Sequence, residues 1–337
     1  MPFSSLVGNE RVKRLLKRAV VEDRIRQGLI FAGPRGVGKH QFALALAQAL
    51  NCRRPIAGDA CGVCDQCIKI TAREHIDVFT IYRESKDPLA RKDSKSQFIK
   101  IEQMRDMARE AQYRPRDGRR RVFIIDEAEW LRVEAANAIL KTLEEPPATT
   151  QLVLVTAKPY ALLQTIRSRC QMVSFAPLSA ADLEAFLNEN YKRPAGENRL
   201  LARLARGSIG RALEIDLGVY REQRSMMMDL LEAAMVARDT IKLMQAAEHL
   251  AKKLEREEFE RHLDALLVLL ADVFHLKLGD NDKALTNADI APRLEGLAEV
   301  ATLEQITDWA ERIERVMQGL TRNLNRQLAM EEMFLAV

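Results

Sequence analysis

The sequence predicts an α/β fold in its first half, a parallel sheet covered on both faces by helices, followed by helical segments to the end of the chain. Three observations carry this. Short, nearly continuous apolar runs alternate with helix-period segments up to about residue 177, the pattern of strands buried on both faces. A glycine-rich loop, Gly33-Pro34-Arg35-Gly36-Val37-Gly38-Lys39-His40, stands between an apolar run and an alanine-rich helix. After Pro177 the strand pattern stops, and apolar residues recur at helical spacing, as at Leu263, Leu266, Leu267, Leu270 and Phe274.

Taken in order, residues 5–27 read as a basic amphipathic helix with Val12, Leu15, Leu16, Ala19 and Val20 on one face. Residues 28–32 form a short apolar strand that ends at the glycine loop, and a helix follows from Gln41 to about Leu50. A cysteine-rich insert occupies 52–67, and 77–82 alternates like a strand. Residues 84–98 are polar, charged and without period, which suggests a mobile loop. A helix is expected from Ile101 to Tyr113 and a buried strand at 121–125 that ends in Asp126-Glu127. A helix from Val133 to Leu143 is stopped by Pro146-Pro147. Further strands are expected at 152–156 and 173–175.

At 337 residues the chain has room for two or three domains. Its net charge of +4, with both signs mixed throughout, is a weak signal for nucleic acid. No apolar run reaches membrane-spanning length, and the start lacks the pattern of a secretory signal. A cytoplasmic chain without a membrane partner is expected.

The glycine loop matches the phosphate-binding pattern G-x-x-x-x-G-K-[ST] at Gly33, Gly38 and Lys39, with Gly36 between them. Such glycines let backbone N–H groups converge on phosphates, and Lys39 would reach the β- and γ-phosphates. His40 stands where Ser or Thr holds Mg²⁺. Imidazole suits that oxygen-seeking ion poorly, so ATP with Mg²⁺ is possible but doubtful, and hydrolysis should suffer. Asp126 at a strand end would support the metal through water, and Glu127 would act as general base. An N-capping carboxylate is the plainer alternative.

Cys52, Cys61, Cys64 and Cys67 have spacing C-x8-C-x2-C-x2-C, which suits a closed, structural tetrahedral zinc site. An iron–sulfur cluster is the alternative, and it would colour the protein. Cys170 reads as a buried thiol with no neighbouring histidine in sequence.

The order of these features resembles the bacterial clamp-loader subunits of the AAA+ class. It comprises the phosphate loop, the four-cysteine insert, Val122-Phe123-Ile124-Ile125-Asp126-Glu127-Ala128, the segment Ala135 to Pro147, and Ser168-Arg169-Cys170. The resemblance is dense from about residue 3 to 177 and thinner at Gly207-Ser208-Ile209-Gly210-Arg211-Ala212. It implies an AAA+ domain at 1–177 with the zinc insert, a helical lid at 178–217, and a helical collar at 218–337. The degraded loop, Lys100-Ile101-Glu102-Gln103-Met104-Arg105 and the short C-terminus look like the delta-prime type rather than the gamma/tau-type motor. That type implies a stator in a ring that places the sliding clamp on primed DNA, beside gamma/tau- and delta-type subunits.

By the same resemblance, Arg169 is an arginine finger that projects into a neighbouring subunit's ATP site. Thr156 lies where a polar sensor sits, and Arg211 matches a lid arginine that touches nucleotide. An active gamma/tau-type motor, or a zinc-stabilised scaffold with a vestigial loop, are the competing readings. Polymerase activity in the chain itself is not indicated.

Overall fold

Five apolar runs become five parallel strands: β1 (Gly28–Ala32), β2 (Val78–Ile81), β3 (Arg121–Ile125), β4 (Thr150–Thr156) and β5 (Gln171–Ser174). The structure is a computed structural model that describes residues 1–83, 98–194, 196–279, 285–320 and 325–335. The polar stretch expected to be a loop therefore lies outside the described residues, apart from Phe98. The sheet order is β2-β3-β4-β1-β5. Every pairing is parallel, with Ala32 opposite Thr156 and Ile81 opposite Ile125.

The chain divides into two compact units, Met1–Lys192 with Ala205–Leu213, and Arg193–Leu204 with Glu214–Val337. In the first unit the helices are α1 (Glu10–Val21), α2 (Lys39–Asn51), α3 (Asp65–Ala72), α4 (Ile101–Glu110), α5 (Val133–Ala138), α6 (Leu140–Glu144), α7 (Gln164–Arg167) and α8 (Ala180–Asn190). The second unit holds α9 (Glu197–Leu204), and α10 (Ile209–Glu214) ends at the boundary. It continues through α11 (Leu217–Glu232), α12 (Thr240–Lys253), α13 (Arg256–Lys277), α14 (Ala291–Val300), α15 (Leu303–Gly319) and α16 (Arg326–Leu335).

Successive strand residues point to opposite faces, so each central strand feeds two cores. Leu29, Phe31, Val122, Ile124, Val153 and Val155 pack with α1 and α2. Ile30, Phe123, Ile125, Leu152 and Leu154 pack with α4, α5 and α6 on the other face. This is the two-sided burial that the continuous apolar runs imply. In the second unit Leu263, Leu266 and Leu270 of α13 join Met227, Leu231, Leu297, Trp309 and Met330 in a single core.

Three element expectations are corrected. The first helix is shorter than 5–27, because Gly8 and Asn9 both take left-handed backbone and block an earlier start. Leu15 on that helix is 45% exposed and does not join the buried face. The helix expected over 133–143 is two short ones, broken at Ile139. The helix from Ile101 stops at Glu110, before the turn ahead of β3.

That turn is built by buried polar side chains. Asp77 is fully buried and accepts N–H bonds from Arg116, Asp117 and Gly118 at 2.8–3.0 Å. Arg121, at 1% exposure, donates to Asp77 at 3.2 Å and to Glu110 at 2.8 Å. Asn51, the last residue of α2, accepts from the N–H groups of Arg119 and Arg120, both at 2.8 Å. Burial opposes ionisation of Asp77, but the three N–H bonds and the Arg121 guanidinium outweigh it and hold the carboxyl below its ordinary range.

A carboxyl with a lowered folded-state pKa stabilises fully above its unfolded value of about 4, and that contribution is lost as pH falls through the lowered value. Urea unfolding at stepped pH should therefore show an acid-side loss of stability that Asp77→Asn, which cannot ionise, lacks. At neutral pH, Asp77→Ala leaves Arg121 short of its buried partner and should cost about 3 kcal/mol.

Candidate functional site

The parallel sheet sends every strand's carboxyl end to one edge, and the phosphate loop leaves that edge from β1. Gly33 is held there by its N–H bond to the Thr156 carbonyl at 3.3 Å. A Cβ at Gly33 would lie 2.5 Å from the Phe175 carbonyl oxygen, so only glycine fits against the residue that follows β5. Gly36 has φ +72, and a Cβ there would meet Ser208 Oγ at 2.1 Å. The Gly210 N–H also donates to the Gly36 carbonyl at 3.2 Å. The loop is thus in contact with the segment that carries Arg211, whose own N–H donates to Ser208 Oγ at 3.1 Å. Gly38 is the N-cap of α2.

Lys39 opens α2 and folds back on its own loop, donating to the carbonyls of Gly33 at 2.7 Å and Pro34 at 2.6 Å. Burial pushes its ammonium below the ordinary lysine value, against the pull of Glu129 and Asp126. His40 follows, with Nδ1 3.6 Å from Asp126 Oδ2 and its ring 5.9 Å from that of Tyr82. Burial pushes the imidazole below its ordinary value, opposed by Asp126.

Asp126 and Glu127 reach the same edge from β3. Asp126 accepts the Glu127 N–H at 3.1 Å rather than capping a helix. Glu127 takes left-handed backbone and pairs with Arg83 Nε at 2.8 Å. Arg35 of the loop lies 3.9 Å from Glu127 and 4.0 Å from Glu129. Arg83 and Arg35 are the site residues that motif reading missed. Arg83 sits two residues past β2, and its place beside Glu127 follows only from the β2–β3 pairing. Thr156 ends β4 beside Ala32, is buried, and accepts the Lys158 N–H at 3.0 Å on its hydroxyl.

Arg169 is not part of this cluster. It precedes β5, and its carbonyl lies against Gly28, the first residue of β1. Five strand residues, about 16 Å, separate that end of β1 from the phosphate loop. The guanidinium bonds the Thr165 carbonyl at 2.9 Å and Glu144 at 2.5 Å, and its side chain is 33% exposed. Cys170 is half-buried beside Gly28, and burial pushes its thiol up to about 12.

The sulfurs of Cys52, Cys61, Cys64 and Cys67 lie within 4.8 Å of one another. Cys52 and Cys64 are 4.0 Å apart, and Cys64 and Cys67 are 3.5 Å apart. These spacings exclude a disulfide and bracket the roughly 3.8 Å expected between sulfurs about 2.3 Å from one tetrahedral ion. The N–H groups of Cys61 and Cys64 donate to Cys52 Sγ at 3.3 Å and Cys61 Sγ at 3.4 Å. Such bonds favour thiolates, and the cluster can hold one metal ion. The Val63 N–H, chief among several, draws Cys61 down to about 6, whereas burial pushes Cys67 up. Asp59 ties the insert down by accepting from the N–H groups of Phe3, Ser4 and Ala60 and pairing with Lys17 at 2.8 Å.

A P-loop α/β unit with a four-cysteine insert, followed by an all-helical unit, is the class of protein defined here. Residues 8–179 match the family described as DNA polymerase III, delta subunit, and 222–337 match its C-terminal domain. The chain belongs to that family. It is 29% identical to the DNA polymerase III subunit delta' of Bacillus subtilis, over 96% of this chain and 94% of that one. It is 30% identical to the delta' subunit of Pseudomonas aeruginosa, over 89% and 88%. It is 38% identical to the tau subunit of Escherichia coli over 63% of this chain, and that match spans only 32% of tau.

The Gly36 contact yields a direct expectation. Gly36→Ala forces a side chain into left-handed backbone and against Ser208, so it should lower stability by about 1–3 kcal/mol in urea unfolding.

Proposed function

We propose that this chain is a delta-prime-type subunit of a bacterial clamp loader, working in the cytoplasm beside gamma/tau- and delta-type subunits. Within that assembly it helps place the sliding clamp on primed DNA. The lid (178–217) and collar (218–337) serve nucleotide contact and subunit assembly respectively. Support comes first from delta' relatives that match the chain nearly end to end.

The observation that carries the mechanism is the position of Arg169, at the opposite edge of the sheet from its own phosphate loop. A guanidinium so placed acts on a γ-phosphate only if another subunit brings it there. Its partly exposed pair with Glu144 is worth at most about 1 kcal/mol, so releasing it costs little. In the neighbour's site it stabilises charge that develops on the transferred phosphoryl group.

The chain's own site retains Lys39 but is built against turnover. A triphosphate in the loop would be held by the backbone N–H groups around Gly33, Gly36 and Gly38, with Lys39, Thr156 and Arg211 at its margin. Glu127, the candidate base, is already committed to Arg83. A carboxylate oxygen held in an ion pair is not free to orient an attacking water. The alternative of an active motor rests on Asp126, Glu127 and the likeness to tau. Robust ATP turnover by the purified chain, abolished in Lys39→Ala, would favour it.

Zinc is the metal proposed for the insert, because four thiolates suit a closed tetrahedral site. Two outcomes follow. In a reconstituted loader, Arg169→Ala should cut clamp- and DNA-stimulated ATP turnover by on the order of 10³-fold at the site it serves. Unchanged turnover would remove the finger role. Metal analysis of reduced, colourless protein should return one zinc per chain. Cys64→Ser should lose that zinc and lower the melting temperature.

A further inference from the structure

His40 is the residue at which this phosphate loop departs from its pattern, and its surroundings are specific. Nδ1 and Nε2 are both shielded from solvent, and neither has a hydrogen-bond partner among the described residues. An imidazole with two shielded, orphaned nitrogens is costly unless something completes it. Nδ1 faces Asp126 Oδ2 at 3.6 Å, and the Asp126 side chain is 24% exposed, so an ion can approach from the solvent side. Two ligands each about 2.1 Å from one ion stand roughly 3.0–3.5 Å apart, so small movements bring both groups into reach. The nearby Glu127 is held by Arg83 and adds no ligand.

The donor set is therefore one imidazole nitrogen and one carboxylate oxygen, at the point of the loop where a hydroxyl otherwise serves Mg²⁺. Magnesium takes oxygen donors, whereas first-row transition ions accept imidazole readily. We propose that His40 and Asp126 form a cation site that selects a first-row transition ion, with Mn²⁺ the probe, over Mg²⁺ when a nucleotide's phosphates occupy the loop. With only two protein ligands the site depends on the phosphates for the rest, so cation and nucleotide bind together. The inference rests on the reading that this loop accepts a triphosphate.

The test is equilibrium binding of a fluorescent ATP analogue to the full chain with EDTA, Mg²⁺ or Mn²⁺, alongside the loss of the free Mn²⁺ paramagnetic resonance signal. The four-thiolate insert does not interfere, because thiolates favour softer ions than Mn²⁺. The expected result is binding at least about tenfold tighter with Mn²⁺ than with Mg²⁺. His40→Thr, which restores the ordinary loop residue, should abolish or reverse that preference. Lys39→Ala should weaken binding under all three conditions. Equal affinity with the two cations, or an unchanged preference in His40→Thr, overturns the cation assignment while Lys39-dependent binding preserves the loop reading. No binding under any condition overturns both.

Discussion

The common direction of the five strands is the constraint on which the first unit depends. Because every pairing is parallel, all strand carboxyl ends meet at one edge. Residues far apart in sequence are delivered there by separate strands: Gly33 by β1, Arg83 by β2, Asp126 by β3 and Thr156 by β4. The same polarity sends Arg169 to the opposite edge, beside the first residue of β1. One geometric rule thus separates Arg169 from the residues gathered around this chain's own glycine-rich loop.

Charge pairing inside that edge decides how the site behaves. Lys39 spends two donors on loop carbonyls, and Glu127 is matched by Arg83. Hydrogen bonds to charged groups contribute about 1.5–3 kcal/mol each, so an incoming phosphate must better those that it displaces from Lys39. The loop keeps the backbone shape for a phosphate while its charged side chains are internally satisfied. Both ring nitrogens of His40 are left without a hydrogen-bond partner among the described residues, as is Oε2 of the nearby Glu129.

The cysteine insert follows different physics. Its buried cluster consists of Cys52, Cys67 and Ala60, with Cys61 and Cys64 packed against them, which is too little apolar surface to fold alone. It is fixed instead by Asp59 at its base and by the convergence of four sulfurs. A metal bound by those four sulfurs would make binding and local folding one event, with the protons released by the thiols coupling both to pH.

Local pattern made much of this legible. Residues 28–32 and 121–125 are strands with the expected bounds, because buried strands are continuous apolar runs between breakers. The four cysteines converge as their spacing implies, since C-x2-C turns bring sulfurs together over short range. The first helix was overextended, because left-handed backbone at Asn9 leaves little trace in an amphipathic pattern. In the sequence Asp77 and Arg121 read only as the first residues of two strands, since burial of a charge depends on partners some 40 positions away. By itself, the sequence determined the strands, the glycine-rich loop and the convergence of the four cysteines, all products of short-range periodicity and spacing. Only the tertiary structure decided that Arg83 neutralises Glu127, that His40 faces Asp126 and that Arg169 lies away from its own loop. Strand order and direction set those relations, and a linear sequence carries no direct record of either.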